Sequence, residues 1–346
     1  LKICFATYAG VTITGGGPFV KIKDFKSSLE KKGIEIEIFD LWKAGENLSK
    51  YDLYHIFGGN FAVYDLARHL KANKIKYVVN PIIFSRHSFT TISIMNNLDK
   101  ILKKIINGFR IDYGYTREIC EWSELVLPNT KAEGDIISKG LGIPDNKLRI
   151  FHNGVSEKFL NGDPAIFEEK YSVKDFILSV GHFGPVRKNG LALVKALKNI
   201  DRTAVIIGNI TDEGEGVKIK GEIKRNKNII YVEGLQNDSS LLSSAYAACN
   251  TFVLASWYET PGRAALEAAL AGAKIVITPY GGTKDYFEGM VEYVNPYSIS
   301  SIRKGIEVTL NKPKGDKLKE HIKQNFLWNK IADEAINIYK EIVDQR

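Results

Sequence analysis

The sequence predicts an α/β protein of two domains, each built on a doubly wound parallel sheet. Its 346 residues exceed one ordinary core and suit two domains of about 150 residues each. Short apolar runs alternate with segments of helical period along most of the chain, the pattern of repeated strand–helix units rather than of segregated helices and strands. Several of these runs end in glycine-bearing loops, which is where such sheets bind ligands, beyond the carboxyl ends of their strands.

The first run is 2–7, followed by a loop over 8–17 that carries Gly10 and the triple Gly15, Gly16 and Gly17, then by a helical pattern to Lys32 that stops at Gly33. Such a loop lets a backbone approach a ligand closely, and the helix behind it favours an anion. The glycines lack the Gly-x-Gly-x-x-Gly spacing of dinucleotide binders, so a plain tight loop is the competing reading. Residues 34–40 alternate Ile and Glu with strand period, 51–57 form a third strand ending in Gly58-Gly59, and 76–83 form a fourth that leads to Ser85 and His87.

Over 98–110 the residues Leu98, Ile101, Leu102, Ile105, Ile106 and Phe109 share one helical face, with Lys100, Lys103, Lys104 and Arg110 elsewhere. A core-packed helix with a solvated basic face is expected here, in preference to a membrane-surface role. A strand at 124–128, a helix at 130–140 and a last strand at 147–152 complete a first domain of residues 1–155, closing on the turn Asn153-Gly154. Residues 156–172 hold Gly162, Pro164 and mixed charge without a clean period, and read as a linker.

The second series occupies 173–325. Its first strand is 176–181, its first loop 182–188 contains His182, Arg187 and Lys188, and a helix runs on through Leu197. Further strands fall at 203–208, 228–234, 251–256, 274–278 and 291–294, and Gly281-Gly282 follow the strand at 274–278. At the end of the chain, 328–343 place Ile331, Ala335, Ile338 and Ile342 on one face of an amphipathic helix.

Residues 256–272, SWYETPGRAALEAALAG, carry the chemistry. A strand runs into a turn at Pro261-Gly262, and the Ala-, Leu- and Glu-rich helix behind it closes at Gly272. Unpaired N–H groups and the positive dipole end near Gly262 and Arg263 suit a phosphate. Glu259 and Glu267 flank that point. Carboxylates only accept hydrogen bonds, so they suit the hydroxyls of a sugar and a ribose on either side of a diphosphate.

The Glu259 and Glu267 spacing, with the intervening Pro-Gly and the Ala-Leu-Glu-Ala helix, resembles the donor-site signature of the retaining glycosyltransferases of family 4. Val180, Gly181, His182, Arg187 and Lys188, the Asn153-Gly154-Val155 step and Gly281-Gly282 stand in that family's order. The resemblance implies a GT-B fold: two Rossmann-like domains facing a cleft, with the C-terminal helix of 326–346 crossing back to the first domain. It further implies a catalytic set of Glu259, Lys188 and His87, where His87 is the nearest candidate for a His or Asp that family members carry after the fourth strand, a surface or capping histidine being the competing reading. Glu267, Arg187, His182, Gly262, Arg263, Gly281 and Gly282 would hold the donor, and Gly15, Gly16 and Gly17 would face the acceptor. The family usually has Arg where this chain has His182, a place that Arg187 or Arg263 would fill. A front-face mechanism, in which the leaving phosphate helps deprotonate the acceptor, comes with the resemblance.

Composition narrows the alternatives. A content of 44% hydrophobic and 25% charged residues is that of a folded protein, and the net charge of +8 favours anionic ligands. No aromatic-basic interleaving or zinc spacing favours nucleic acid. Three dispersed cysteines, Cys4, Cys120 and Cys249, argue against a disulfide framework and fit a reducing compartment. No apolar run approaches the roughly 20 residues of a spanning helix and no signal-like stretch opens the chain, so a cytosolic protein able to touch the inner membrane face is expected. No Asp-x-Asp metal motif is present, and neither a metal nor a cofactor is expected beyond a nucleoside-diphosphate sugar, its partner being a glycan, a lipid-linked sugar or a small molecule. A non-hydrolysing nucleotide-sugar epimerase and a catalytically idle nucleotide-sugar-binding scaffold are the competing readings.

Overall fold

The computed structural model describes residues 1–14, 16–43 and 47–344. They form two compact units. One comprises Leu1–Gly154 with the C-terminal helix Trp328–Asp344, the other Val155–Leu327.

The first unit is a parallel sheet of β1 (Lys2–Thr7), β2 (Glu35–Ile38), β3 (Leu53–Phe57), β4 (Tyr77–Asn80) and β5 (Leu125–Val126), in the order β2-β1-β3-β4-β5. Every residue of β3 and β4 is buried, both faces of the sheet centre being covered, so a largely apolar run such as Leu53–Phe57 forms a central strand without polar alternation. The strand expected at 147–152 is reduced to a single parallel bridge, Val126 to Leu148. Its backbone follows β5 through Arg149 N–H to Val126 C=O and Phe151 N–H to Pro128 C=O.

The loop expected over 8–17 contains a helical turn, Gly10–Thr14, and the next helix, Gly17–Glu30, begins with Gly16 as its N-cap and a proline in the first turn. Gly15 lies outside the described residues. A β-carbon at Gly16 would meet nothing within 4 Å and its φ of −78° suits any residue, so close backbone approach does not require glycine there.

The helix expected over 98–110 runs instead from Phe89 to Ile105, capped by the Ser88 hydroxyl, which accepts from Thr91 N–H. Its core face is Ile92, Asn96 and Asp99, while Leu98, Ile101, Ile105 and Ile106 are exposed. The apolar stripe thus faces away from the core, contrary to the expected packing. Asp99 is buried because Ile111 N–H donates to it at 2.8 Å and Arg110 and Arg117 approach it at 3.7 and 3.6 Å. Gly114 lets the following helix close over it, since a β-carbon there would lie 2.1 Å from a carboxylate oxygen of Asp99.

The helix Trp328–Asp344 packs on Gly17–Glu30. The rings of Trp328 and Phe25 stack at 5.6 Å, and the Tyr339 hydroxyl meets Nδ1 of buried His55 at 2.6 Å. Burial holds the His55 imidazole well below its ordinary pKa, keeping it neutral beside the hydroxyl.

The second unit is a six-stranded parallel sheet of β6 (Ile177–Val180), β7 (Ala204–Ile207), β8 (Ile229–Val232), β9 (Thr251–Leu254), β10 (Lys274–Ile277) and β11 (Glu292–Tyr293), ordered β11-β10-β9-β6-β7-β8. Strand order reverses between β6 and β9, so the loops that leave these neighbouring strands diverge and open a crevice at the carboxyl edge. The stretch 156–172 is no linker. It holds a turn at Glu157–Phe159 and a helix, Pro164–Tyr171, capped by Asp163, and it buries Phe159 and Phe167 in this unit's core.

Candidate functional site

The crevice gathers residues from three loops of the second unit. After β6 comes a tight turn, Val186–Lys188, then Asn189 in the left-handed region at φ 57°, then the helix Gly190–Leu197. Lys188 thus ends the turn, and Asn189 separates it from the helix. Asn189 holds the turn by donating its side-chain amide to the carbonyls of Ala255 at 2.9 Å and Pro296 at 2.7 Å. A second tie links the same loops, from Trp257 N–H to the Arg187 carbonyl at 2.8 Å.

These ties place Lys188 Nζ 2.5 Å from Glu259 Oε1, although the two residues are 71 positions apart. Glu259 is 7% exposed. Its backbone is joined to the loop after β10: Glu259 N–H donates to Tyr280 C=O, Gly282 N–H donates to Glu259 C=O, and a parallel bridge pairs Glu259 with Gly281. Gly281 has φ 90°, and a β-carbon on it would sit 2.2 Å from the Glu259 carbonyl oxygen, so glycine is required both for conformation and for space.

Gly262, at φ 86°, is the N-cap of the helix Arg263–Leu270, with no side chain capping it. The helix thus presents its N-terminus beside Glu259, as expected from the Pro-Gly turn. Glu267 lies on the buried side of that helix, 4% exposed. It accepts from Asn237 Nδ2 at 3.0 Å and from the Tyr246 hydroxyl at 2.9 Å, and Arg263 Nη2 lies at 3.5 Å. Burial pushes the Glu267 carboxyl above its ordinary range, against the opposing pull of Arg263, Tyr246 and Asn237.

Arg187 lays its guanidinium over the Tyr258 ring at 5.4 Å, a stacking that fixes its direction. His182 is exposed and its Nδ1 lies 3.3 Å from the Asn209 carbonyl. Lys188, Arg187, His182, Gly262, Gly281 and Gly282 thus belong to loops at one edge of one sheet, and Arg263 opens the helix that starts there. His87 does not belong to this group. It stands in the first unit, in the loop after β4, with Nδ1 3.1 Å from the Tyr113 hydroxyl. Gly16 and Gly17 lie in the first unit also.

Sequence reasoning missed Asn189, Asn237 and Tyr246. Asn189 had a signal, because asparagine tolerates the left-handed conformation between a turn and a helix; its partner carbonyls are too distant in sequence to infer. Asn237 and Tyr246 had none, since only the folding of two separate helices and a loop brings them to Glu267. Among the described residues, no group of three or more His, Cys, Asp or Glu side chains is placed to hold a metal ion.

Comparison with known proteins bears on this site. Residues 166–326, nearly the whole second unit, match the family model described as glycosyl transferases group 1. An uncharacterized glycosyltransferase of Methanocaldococcus jannaschii is 24% identical over 316 residues, covering 85% of this chain and 76% of the relative. Among solved structures, the sucrose-phosphate synthase of Thermosynechococcus elongatus superposes with a TM-score of 0.78 at 16% identity, covering 100% of both chains. HepE of Anabaena, solved with UDP and glucose, gives 0.73 at 16% identity over 99% of this chain and 100% of its own. The two parallel-sheet, Rossmann-like units are those of the GT-B fold.

Proposed function

We propose that this transferase, whose second unit carries a group 1 glycosyltransferase domain, moves a sugar with retention of configuration from a nucleoside diphosphate to an acceptor hydroxyl, without a metal ion or further cofactor. The observation that supports this reading most is the Lys188–Glu259 pair at the point where strand order reverses, beside the open helix N-terminus at Gly262. Diphosphate departure concentrates negative charge on the leaving oxygen, and preorganised cations and N–H dipoles lower that barrier most. Lys188, Arg187 and the helix N-terminus are the groups for that task. Glu259 accepts from the hydroxyls of the transferred sugar. In the reaction the bond from the anomeric carbon to the phosphate oxygen breaks, with its electron pair staying on the nucleoside diphosphate. The acceptor oxygen bonds to the anomeric carbon on the same face, and its proton passes to the departing phosphate. The acceptor is a glycan, a lipid-linked sugar or a small-molecule hydroxyl compound.

The three dispersed cysteines are all buried, which supports a reducing, cytosolic setting. HepE was solved with UDP and glucose, which makes UDP-glucose the first donor to test. A thermal-shift screen of UDP-, GDP-, ADP- and dTDP-sugars is expected to single out one nucleotide, with about 2.7 kcal/mol of stabilisation at 100 times its dissociation constant. Turnover of that donor is expected to survive EDTA unchanged; loss of activity on chelation, restored by a divalent cation, would refute the metal-free scheme.

Glu267 is assigned to the donor ribose. Glu267→Ala is expected to weaken binding of the free nucleoside diphosphate at least tenfold by calorimetry, the scale of a lost charged hydrogen bond. Tyr246→Phe removes only the buried partner of Glu267 and is expected to lower stability while leaving that affinity in place. Equal nucleotide affinity in wild type and Glu267→Ala would reduce Glu267 to a structural group.

A further inference from the structure

The helix Phe89–Ile105 presents to solvent the surface that the core would normally claim. Ile94 is 55% exposed, Leu98 45%, Ile101 56% and Ile105 72%. At 100° per residue these four positions fall within one narrow strip, directly opposite the buried Ile92, Asn96 and Asp99. Ile106, the residue that caps the helix, is exposed as well. Isolated exposed apolar residues need no explanation, but a continuous helical stripe of four does.

Charge identifies what covers it. The same helical geometry puts Lys100 and Lys104 side by side along one flank of the stripe, one turn apart. Lys103 instead turns inward and pairs with Glu118. The single acidic residue of the helix, Asp99, is buried and engaged by Arg110 and Arg117, so the outward surface carries cations and no carboxylate. A second copy meeting this face by twofold symmetry would set lysine beside lysine. An anionic lipid surface supplies both complements at once, acyl chains for the isoleucines and headgroup phosphates for the lysines. No helix among the described residues is long and apolar enough to cross a membrane, so the contact lies in the interface plane.

We propose that the helix Phe89–Ile105 docks the protein on an anionic bilayer, with Ile94, Leu98, Ile101 and Ile105 entering the headgroup–acyl boundary and Lys100 and Lys104 contacting lipid phosphates. This does not depend on the donor reading. It is tested on the full chain by sedimentation with vesicles of equimolar phosphatidylglycerol and phosphatidylcholine, and with phosphatidylcholine alone. Wild type is expected to bind the mixed vesicles at low ionic strength, to be released by salt, and to bind the zwitterionic ones far less. Lys100→Glu with Lys104→Glu is expected to weaken binding at least twentyfold, from about fivefold per lysine contact. Ile101→Glu with Ile105→Glu is expected to abolish it. Ile101, Ile105 and Lys104 are exposed and Lys100 is half-buried on the helix surface, so thermal stability and nucleotide binding should hold in the variants, which separates failure of docking from failure of the glycosyl-transfer reading. Wild type remaining in the supernatant at low salt would overturn the proposal, as would variants that sediment like wild type. Equally tight binding to phosphatidylcholine alone would overturn the assignment to anionic lipid. Concentration-dependent self-association that the isoleucine variant loses, without vesicle binding, would assign the face to a second copy.

Discussion

Lys188→Ala is expected to lower turnover at saturating donor by a factor of about 100 to 1,000, the range seen when one preorganised donor to a developing oxyanion is removed. Donor affinity should change much less, because the charge that Lys188 meets grows as the diphosphate leaves. The structure adds a second consequence. Lys188 Nζ is the 2.5 Å partner of Glu259, and Glu259 is nearly buried. Truncation leaves that carboxylate without its cation, at a cost of roughly 1–3 kcal/mol in stability. Lys188→Arg separates the two effects, since it keeps a charge for Glu259 while moving the donor N–H groups. Steady-state kinetics alongside thermal unfolding will show whether stability returns while turnover stays low. Wild-type turnover in Lys188→Ala would remove the residue from the reaction.

Gly281→Ala is expected to damage the site more than its single methyl suggests. The new β-carbon would lie 2.2 Å from the Glu259 carbonyl oxygen, at a backbone φ of 90° that disfavours any side chain. Relief requires the loops after β9 and β10 to part, which breaks the bridge between Glu259 and Gly281 and the Gly282 N–H to Glu259 C=O hydrogen bond. Strain of this kind costs about 1–3 kcal/mol in stability. Because the displaced segment is the one that positions Glu259 against Lys188, turnover is expected to fall at least 100-fold, as with other misplacements of about 1 Å. Gly289→Ala is the control: it is exposed, in the same unit, with nothing within 4 Å of the added carbon, and should behave as wild type. Equal stability and activity in the two variants would show that the two loops do not act as one.

Much of the architecture was legible because its causes are local. Runs such as LYHIF at β3 and TFVL at β9 are largely apolar with no polar alternation, as suits strands covered on both faces. The Pro-Gly turn ahead of Arg263 announced a helix start in the sequence, and Gly262 is the N-cap there. The same locality misled at 156–172, where mixed charge hid two aromatic anchors, Phe159 and Phe167, that bind the segment to a core assembled from distant residues.

The sequence by itself determined which residues share a strand, a turn or a helix face, since those follow from the period of the backbone and the rotational freedom of each residue. Strand neighbours and the inward side of each helix were decided only by tertiary structure. Lys188 and Glu259 meet because β6 and β9 are adjacent at the reversal of strand order, a pairing of segments 71 residues apart that no local preference encodes. The stripe of Leu98, Ile101 and Ile105 is a helical face by period alone. It faces outward because Asp99, on the opposite side, finds a buried backbone donor and two arginines, and that compensation exists only once the neighbouring helix has folded over it.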